Sequence, residues 1–423
     1  MTPRHTATPQ HRVRHARRQR RHPLLSGAAL VALALVSFVG TGVATAIVRL
    51  GNNIETHDVA QLIDEVPPKP NVTTQHDPED AYEGRALNFL IMGSDVRSGE
   101  NAVIGGENEG MRSDTTIVAH VSADRNRVEL VSIPRDSRVD IPACSYLDGT
   151  TSRPQSARFN AAFSIGAEHG DVGEAAACTI NTVQSLTGIP IDGWIVVDFA
   201  GFRNMVDALG GVDMCIPNDM ASEKANLYLS AGNRHLDGTT ALAFARARTG
   251  EGLGNGSDIN RLGRQQQLMG AIAHEVFEKN LLTDIDQLYR FLTAATQSLT
   301  ADPRLGSIRT LAGLGWSLQS IPVQNITFMT IPHRTNPADR NEVVWADEAA
   351  QVWANIAADV PMVGQATAPP TTETTAPADP NAPADPNAPV DPNAPPPAPT
   401  EPTEAPTPGV DPFTPADLPA VCG

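Results

Sequence analysis

The chain has 423 residues, with 31 Lys and Arg against 48 Asp and Glu, a formal net charge of −17, 35 prolines and 4 cysteines. The length leaves room for two or three average domains, and the acidic balance argues against nucleic acid as a partner. Seven of the basic residues (Arg4, Arg12, Arg14, Arg17, Arg18, Arg20, Arg21) lie in a basic arm over residues 1–23, so the rest carries 24 basic against 48 acidic residues, and arginines clustered there mark a specific anion.

Residues 24–48 run LLSGAALVALALVSFVGTGVATAIV without a charge, and a helix needs about 20 mostly apolar residues to cross a bilayer. This predicts a single-pass transmembrane signal anchor in the cell membrane, its arginine arm in the cytoplasm by the positive-inside rule and everything after it outside. A cleaved signal peptide competes, since Ala44-Thr45-Ala46 resembles a cleavage site, but signal h-regions usually run only about 7–15 residues. Residues 49–85, containing VPPKPNV, read as an extracellular linker.

Residues 86–363 read as one folded domain. ALNFLIM is a short apolar strand, and TTIVAHVS with RVELVSIP reads as a hairpin turned at Ala123 to Asn126. GEAAACTINTVQSLTG is a helix stopped at Gly188, GWIVVDF a strand, and FRNMVDALGGV a helix stopped at Gly210 and Gly211. DINRLGRQQQLMGAIAHEVFEKN is a long amphipathic helix with Asp258 as its N-cap. Two more helices and the strand NITFMTIP close the domain. Strands interspersed with helices predict an α/β fold, a mixed central β-sheet flanked by helices in an α-β-α sandwich. Residues 364–423 lack Lys and Arg from Gln365 on, hold 18 of the 35 prolines and repeat ADPNAP, ADPNAP, VDPNAP; they read as a disordered Pro/Ala/Asp/Thr-rich tail.

The strongest chemical signal lies in NFLIMGSDVR, GMRSDTTIVAHVS and VSIPRDSRVDIP. Asp95 and Asp114 sit at strand ends with Arg97, Arg112 and Arg135 beside them. Mg²⁺ is held by about one or two carboxylates plus substrate phosphates, and arginine forks match phosphate oxygens. Each residue alone is unremarkable, because Asp at a strand end often caps a turn; the set together points to a metal-bound pyrophosphate. Farther on, Arg246 and Arg248 are two apart and share no helix face, so only extended or helix-end geometry brings both to one ligand. Arg261, Arg264 and Gln265 fall on one face near a helix N-terminus, where anions are favoured. Cys144 and Cys178 flank a segment they can close as a disulfide, Cys215 in VDMCIP reads as a buried thiol, and connectivity stays open.

GSDVR, RSDTT, SIPRDS, RFNAAF, TGIPIDGWIVVDFAGF, VDALGGV, LDGTTALAFARAR and DINRLGRQQQ, in this order, resemble the LytR-CpsA-Psr family of cell-wall enzymes. The resemblance implies a phosphotransferase that moves a glycan 1-phosphate from a polyprenyl pyrophosphate carrier to a peptidoglycan hydroxyl. A secondary wall polymer (arabinogalactan, teichoic-type or capsular) would be anchored in this way. By the same resemblance Asp95 and Asp114 match the Mg²⁺-associated acids, with Mn²⁺ an alternative. Arg112, Arg135, Arg246, Arg248 and Arg261 match the pyrophosphate-binding arginines, Gln265 a glutamine that follows them, and Phe159, Ala162 and Phe163 are candidates for lining a lipid pocket. Two further readings are a regulatory protein that binds polyprenyl pyrophosphates without turnover and a pyrophosphatase with water as nucleophile. The glycine-rich segment SGENAVIGGENEG between the two acids departs from shorter members and bears on acceptor access.

Overall fold

The computed structural model describes residues 37–38, 40–42, 44–66, 82, 84–95, 111–278, 285–319, 321–363 and 406–417. Residues 1–49 and 50–423 form separate units. In the first, the described residues of the expected span are helical, and among the described residues no helix is long and apolar enough to cross a membrane. The remainder of that span, the basic arm, Arg97 and the whole glycine-rich segment lie outside the described residues.

The second unit is built on a seven-stranded mixed sheet. In chain order its strands are β1 (Glu55–Thr56), β2 (Leu87–Ser94), β3 (Ser113–Val121) and β4 (Val128–Ile133). After the small hairpin β5 (Arg138–Ile141) and β6 (Gln155–Arg158) come β7 (Gly193–Val197) and β8 (Val212–Ile216). Then follow β9 (Met220–Ser222), β10 (Leu227–Leu229), β11 (Gly232–Leu236), β12 (Leu299–Ala301), β13 (Ile326–Thr330), β14 (His333–Thr335) and β15 (Val343–Trp345). The sheet order is β1-β12-β7-β2-β3-β4-β13, with β2, β3 and β4 as an antiparallel meander and parallel neighbours at β7 and β13. The meander is the expected hairpin, turned at residues 122–127.

The helices are α1 (Ala161–Gly166), α2 (Val172–Thr187), α3 (Phe199–Leu209), α4 (Gly238–Arg246), α5 (Asp258–Glu278), α6 (Ile285–Gln297), α7 (Ile308–Leu318) and α8 (Glu348–Ala357). Strand periodicity sorts the layers, because successive side chains point to opposite faces. Leu90 and Met92 of β2 join the core with Phe163 of α1, Ile180 of α2 and Trp353 of α8. Leu87, Phe89 and Ile91 face the other way, against Leu305 and α7. A satellite core joins α3, α4, part of α5 and the hairpins β8–β11 and β9–β10. Helix α2 is capped by Asp171, whose carboxylate accepts the Glu174 N–H, and it stops at Gly188 in the left-handed conformation (φ 69°). The mixed sheet with helices on both faces is the expected fold class.

Several boundaries move. Of the expected linker, Ile54, Val59 and Leu62 are buried in the domain, and β1 pairs in parallel with β12 at the sheet edge; the prolines of VPPKP drew attention from these spaced apolar residues. The expected disordered tail is not uniform, because residues 406–417 dock on the domain. Phe413 is buried, exchanges hydrogen bonds with Phe328 at 2.8 and 3.0 Å and stacks on its ring at 5.4 Å. The Gly409 N–H donates to Gln266 Oε1 at 2.9 Å, and the close approach requires Gly263, since a Cβ there would lie 2.3 Å from the Pro408 carbonyl oxygen. Cys144 and Cys178 form the expected disulfide. Cys215 is disulfide-bonded rather than a thiol, since a small apolar run around a cysteine reads the same whether its sulfur is free or paired. Residues 364–405, 418–423 and Cys422 lie outside the described residues.

Candidate active site

The two acids stand at one sheet end because β2 and β3 are neighbours. Asp95 leaves β2 just after Ser94, which pairs with Ser113, and the ladder shifts register at Gly93/Ser94. Its N–H donates to the Arg112 carbonyl at 3.0 Å, and its buried carboxylate accepts the Arg112 N–H at 2.7 Å. Asp114 is the second residue of β3. Both carboxylates therefore stand at one end of the central sheet, on backbone that the ladder fixes.

Arg135 follows β4 after Pro134 and arrives at the same end. Its Nη1 donates to Asp114 Oδ1 at 2.6 Å, and its Nε lies 3.3 Å from Asp258 Oδ1 and 3.6 Å from Asp136 Oδ2. Arg261, 3% exposed, projects from the first turn of α5: Nη2 reaches Asp258 Oδ1 at 2.6 Å and Nη1 reaches Asp114 Oδ2 at 3.4 Å. It also donates to the Asp114 carbonyl at 2.8 Å. Asp258 is thus not the expected cap. Neither of its carboxylate oxygens has a hydrogen-bond partner of proper geometry, and it serves as the counter-ion between two guanidiniums.

The charges respond to this packing. Burial alone would raise the Asp114 pKa, but Arg261 and Arg135 outweigh it and hold the carboxyl below its ordinary value. Asp258 is more deeply buried, and there desolvation prevails over Arg261 and Arg135, so its pKa is raised. Burial lowers the Arg261 pKa despite Asp258 and Asp114. For Arg135 the order reverses: burial would lower its pKa, but Asp114 and Asp258 together raise it. Buried Nε atoms of Arg135, Arg248 and Arg261 lack hydrogen-bond acceptors, although buried donors are nearly always satisfied.

The remaining expected residues divide. Helix α4 ends at Arg246 and Ala247 turns to an extended conformation (φ −59°, ψ 130°), so Arg248 leaves the helix and joins the charges around Asp114. Arg246 instead lays its guanidinium over the Phe199 ring at 4.4 Å. Arg112 is exposed, in the wall of a cavity of about 570 Å³ that also includes Arg135, Arg158, Ala161 and Ile165. Gln265 braces the site from behind: its Nε2 donates to the Ala245 carbonyl at 3.1 Å and its Oε1 accepts the Thr115 hydroxyl at 3.1 Å. Arg264, expected on the same face as Arg261, donates to the Ala247 and Leu253 carbonyls, and burial lowers its pKa to about 10. Phe159, Ala162 and Phe163 are fully buried in the main core; it is Ala161, Ser164 and Ile165, on the other side of α1, that open on the 570 Å³ cavity.

Sequence reasoning passed over Asp136 and Arg158 as site residues. Asp136 Oδ1 pairs with Arg158 Nη1 at 3.2 Å, and both line the two cavities flanking Arg135. The motifs SIPRDS and RFNAAF contain them, and the alternation of acid and arginine was the available signal. Among the described residues no three His, Cys, Asp or Glu side chains gather into a metal cage. A magnesium-class ion that takes most ligands from phosphate and water needs about one or two carboxylates, and Asp95 and Asp114 at one sheet end fit that donor set.

A matching polyisoprenyl-teichoic acid–peptidoglycan teichoic acid transferase, TagV of Bacillus subtilis, is 32% identical over 182 residues, covering 42% of this chain and 42% of that protein. The cell wall biosynthesis protein LcpA of Corynebacterium glutamicum is 28% identical over 274 residues, covering 58% and 50%. The matches thus span about half the length of these relatives. The crystal structure of protein gbs0355 from Streptococcus agalactiae superposes with a TM-score of 0.51 at 19% identity, over 66% of this chain and 90% of that one, which shows a shared fold. With the LytR_cpsA_psr family model matching residues 54–358, over the whole sheet and every charged group of the site, this chain belongs to the LytR_cpsA_psr family.

Proposed function

We propose that this protein transfers a glycan 1-phosphate from a polyprenyl pyrophosphate carrier to a hydroxyl of peptidoglycan, anchoring a secondary wall polymer outside the cell. One observation carries the reading: the guanidiniums of Arg135 and Arg261 meet at the Asp114 carboxylate, with Arg248 among the charges around it, at one end of the sheet, a concentration of arginine forks that suits a pyrophosphate. The names of the relatives, a teichoic acid transferase and a wall biosynthesis protein, agree in kind.

In this reaction the acceptor oxygen attacks the glycan-bearing phosphorus, the bond from that phosphorus to the bridging oxygen breaks, and polyprenyl phosphate leaves. The acceptor proton passes to solvent water as the new bond to phosphorus forms. Phosphoryl transfer asks mainly for positioning and charge neutralisation, which Arg135, Arg248 and Arg261 supply at the phosphate oxygens. Asp114, with a lowered pKa, is a weak base and suits a charge-holding role with Asp95. A Mg²⁺ ion held by these two acids would add charge to neutralise the pyrophosphate.

The test incubates the full-length protein with Mg²⁺, a polyprenyl pyrophosphate disaccharide and peptidoglycan oligomers, and looks for the phosphodiester product by mass. Release of sugar phosphate to water without that product would make the protein a pyrophosphatase. Binding of the donor with neither product would leave the regulatory reading.

A further inference from the structure

On the other side of Arg135 lies a second cavity of about 670 Å³ whose far wall is the β14–β15 hairpin. Its register, His333 opposite Trp345 and Thr335 opposite Val343, brings Arg334 and the connecting loop to the rim. The loop is braced. Asn336 N–H donates to the Glu342 carbonyl at 2.9 Å and Val343 N–H to the Asp136 carbonyl at 3.1 Å. Asn336 Nδ2 donates to Glu342 Oε2 at 3.0 Å, and Trp345 Nε1 to the Ser137 hydroxyl at 3.3 Å. The hairpin is therefore tied to the segment that carries Arg135 and Asp136.

The wall has five arginines (Arg135, Arg158, Arg248, Arg334, Arg340) against three acids (Asp136, Asp258, Glu342). Each acid is already engaged: Asp136 and Glu342 with Arg158, Asp258 with Arg135 and Arg261. Arg334 and Arg340 have no carboxylate within 4.0 Å among the described residues. An isolated exposed arginine is ordinary, but two beside a cavity that already holds excess positive charge, in a chain of net charge −17, focus a field that attracts anions. Asn255, Ser257, Thr335 and Asn341 add neutral hydrogen-bonding groups, the chemistry that sugar hydroxyls require.

We propose that this cavity is a glycan subsite in which Arg334 and Arg340 bind an anionic group displaced from the reacting phosphate. The inference rests on the transfer reading above. The anion is a carboxylate on the peptide of the acceptor or a further phosphate on the donor glycan, and both offer the same oxyanion to a guanidinium. The hairpin side of this second cavity is polar apart from Val343, which suits a sugar.

The experiment compares full-length wild type in detergent with the R334A/R340A and R334K/R340K variants. One arm uses a donor disaccharide without extra charge and a muramyl glycopeptide acceptor with free or amidated carboxylates. The other uses a neutral acceptor and donors with or without a second phosphate. Exposed ion pairs contribute only a few-fold each, so R334A/R340A is expected to raise KM about five- to tenfold for the charged partner in one arm, with its uncharged counterpart unmoved and the lysine variant intermediate. KM values that match wild type in both arms, or that rise equally for charged and uncharged partners, would overturn the proposal. Calorimetric binding of the same glycopeptides and of a soluble phosphorylated disaccharide separates the two ideas. Absence of transfer with charge-dependent binding lost in R334A/R340A refutes the transfer reading alone; transfer with charge-independent KM refutes this inference alone.

Discussion

Asp114→Asn tests the electrostatics of the site without any substrate. The carboxylate pairs with Arg135 at 2.6 Å and Arg261 at 3.4 Å and is 32% exposed. A hydrogen bond to a charged group contributes about 1.5–3 kcal/mol, and partial exposure keeps the value toward the lower end. Arg261 is not stranded, because Asp258 stays at 2.6 Å, so the loss falls short of the roughly 3–5 kcal/mol for breaking a wholly buried pair. About 2 kcal/mol is expected at pH 7, a fall in Tm of about 4–8 °C. The pH dependence is the sharper criterion. The folded pKa of Asp114 is lowered, so its stabilisation is present above the unfolded value near about 4 and is lost as pH falls through the folded value. Asparagine does not titrate, so the gap between wild type and variant should be full at pH 7 and shrink as pH falls below the unfolded value. Asp258, whose pKa is raised, contributes in the opposite sense, but it is present in both proteins and largely cancels. Urea unfolding followed by tryptophan fluorescence from pH 3 to 7 measures the difference. A gap that is constant with pH, or that widens toward acid, would refute the ion-pair account.

Three further outcomes are expected. Arg135→Lys should lower the transfer rate about tenfold or more, since one ammonium cannot span Asp114 and Asp258 and still bind phosphate, whereas Arg246→Lys, on the Phe199 ring, should cost less; equal losses would undo the distinction. Phe413→Ala should destabilise the domain by about 3 kcal/mol, the lower end for a buried Phe, and expose the strap to proteolysis; an unchanged urea midpoint would show that docking contributes nothing. A reporter fused after Val363 should be active only outside the cytoplasm, and cytoplasmic activity would sink the proposed topology.

The sequence alone determined the sheet meander, most of the helices and several of the acids and arginines that gather at one sheet end. Alternation and 3.6-residue periodicity are local signals of which face is buried, and acids and arginines on strand ends must gather where neighbouring strands end together. It also marked Arg261 through its place on one helix face with Gln265, near the helix N-terminus. What it could not give depends on which distant segments touch. Arg246, Arg248 and Arg264 look alike as letters, yet the helix end at Ala247 sends Arg248 to the site, leaves Arg246 on an aromatic ring and commits Arg264 to backbone carbonyls. Asp258 read as a cap became a shared counter-ion only because β4 delivers Arg135 beside it. The β1 edge strand, the β14–β15 hairpin and the Phe413 strap are short, and their pairing energy comes from partners remote in the chain, so no local pattern announces them. Burial and charge balance are properties of the assembled sheet end, which is why the pKa values of Asp114 and Asp258 move in opposite directions although both carboxylates face the same two arginines.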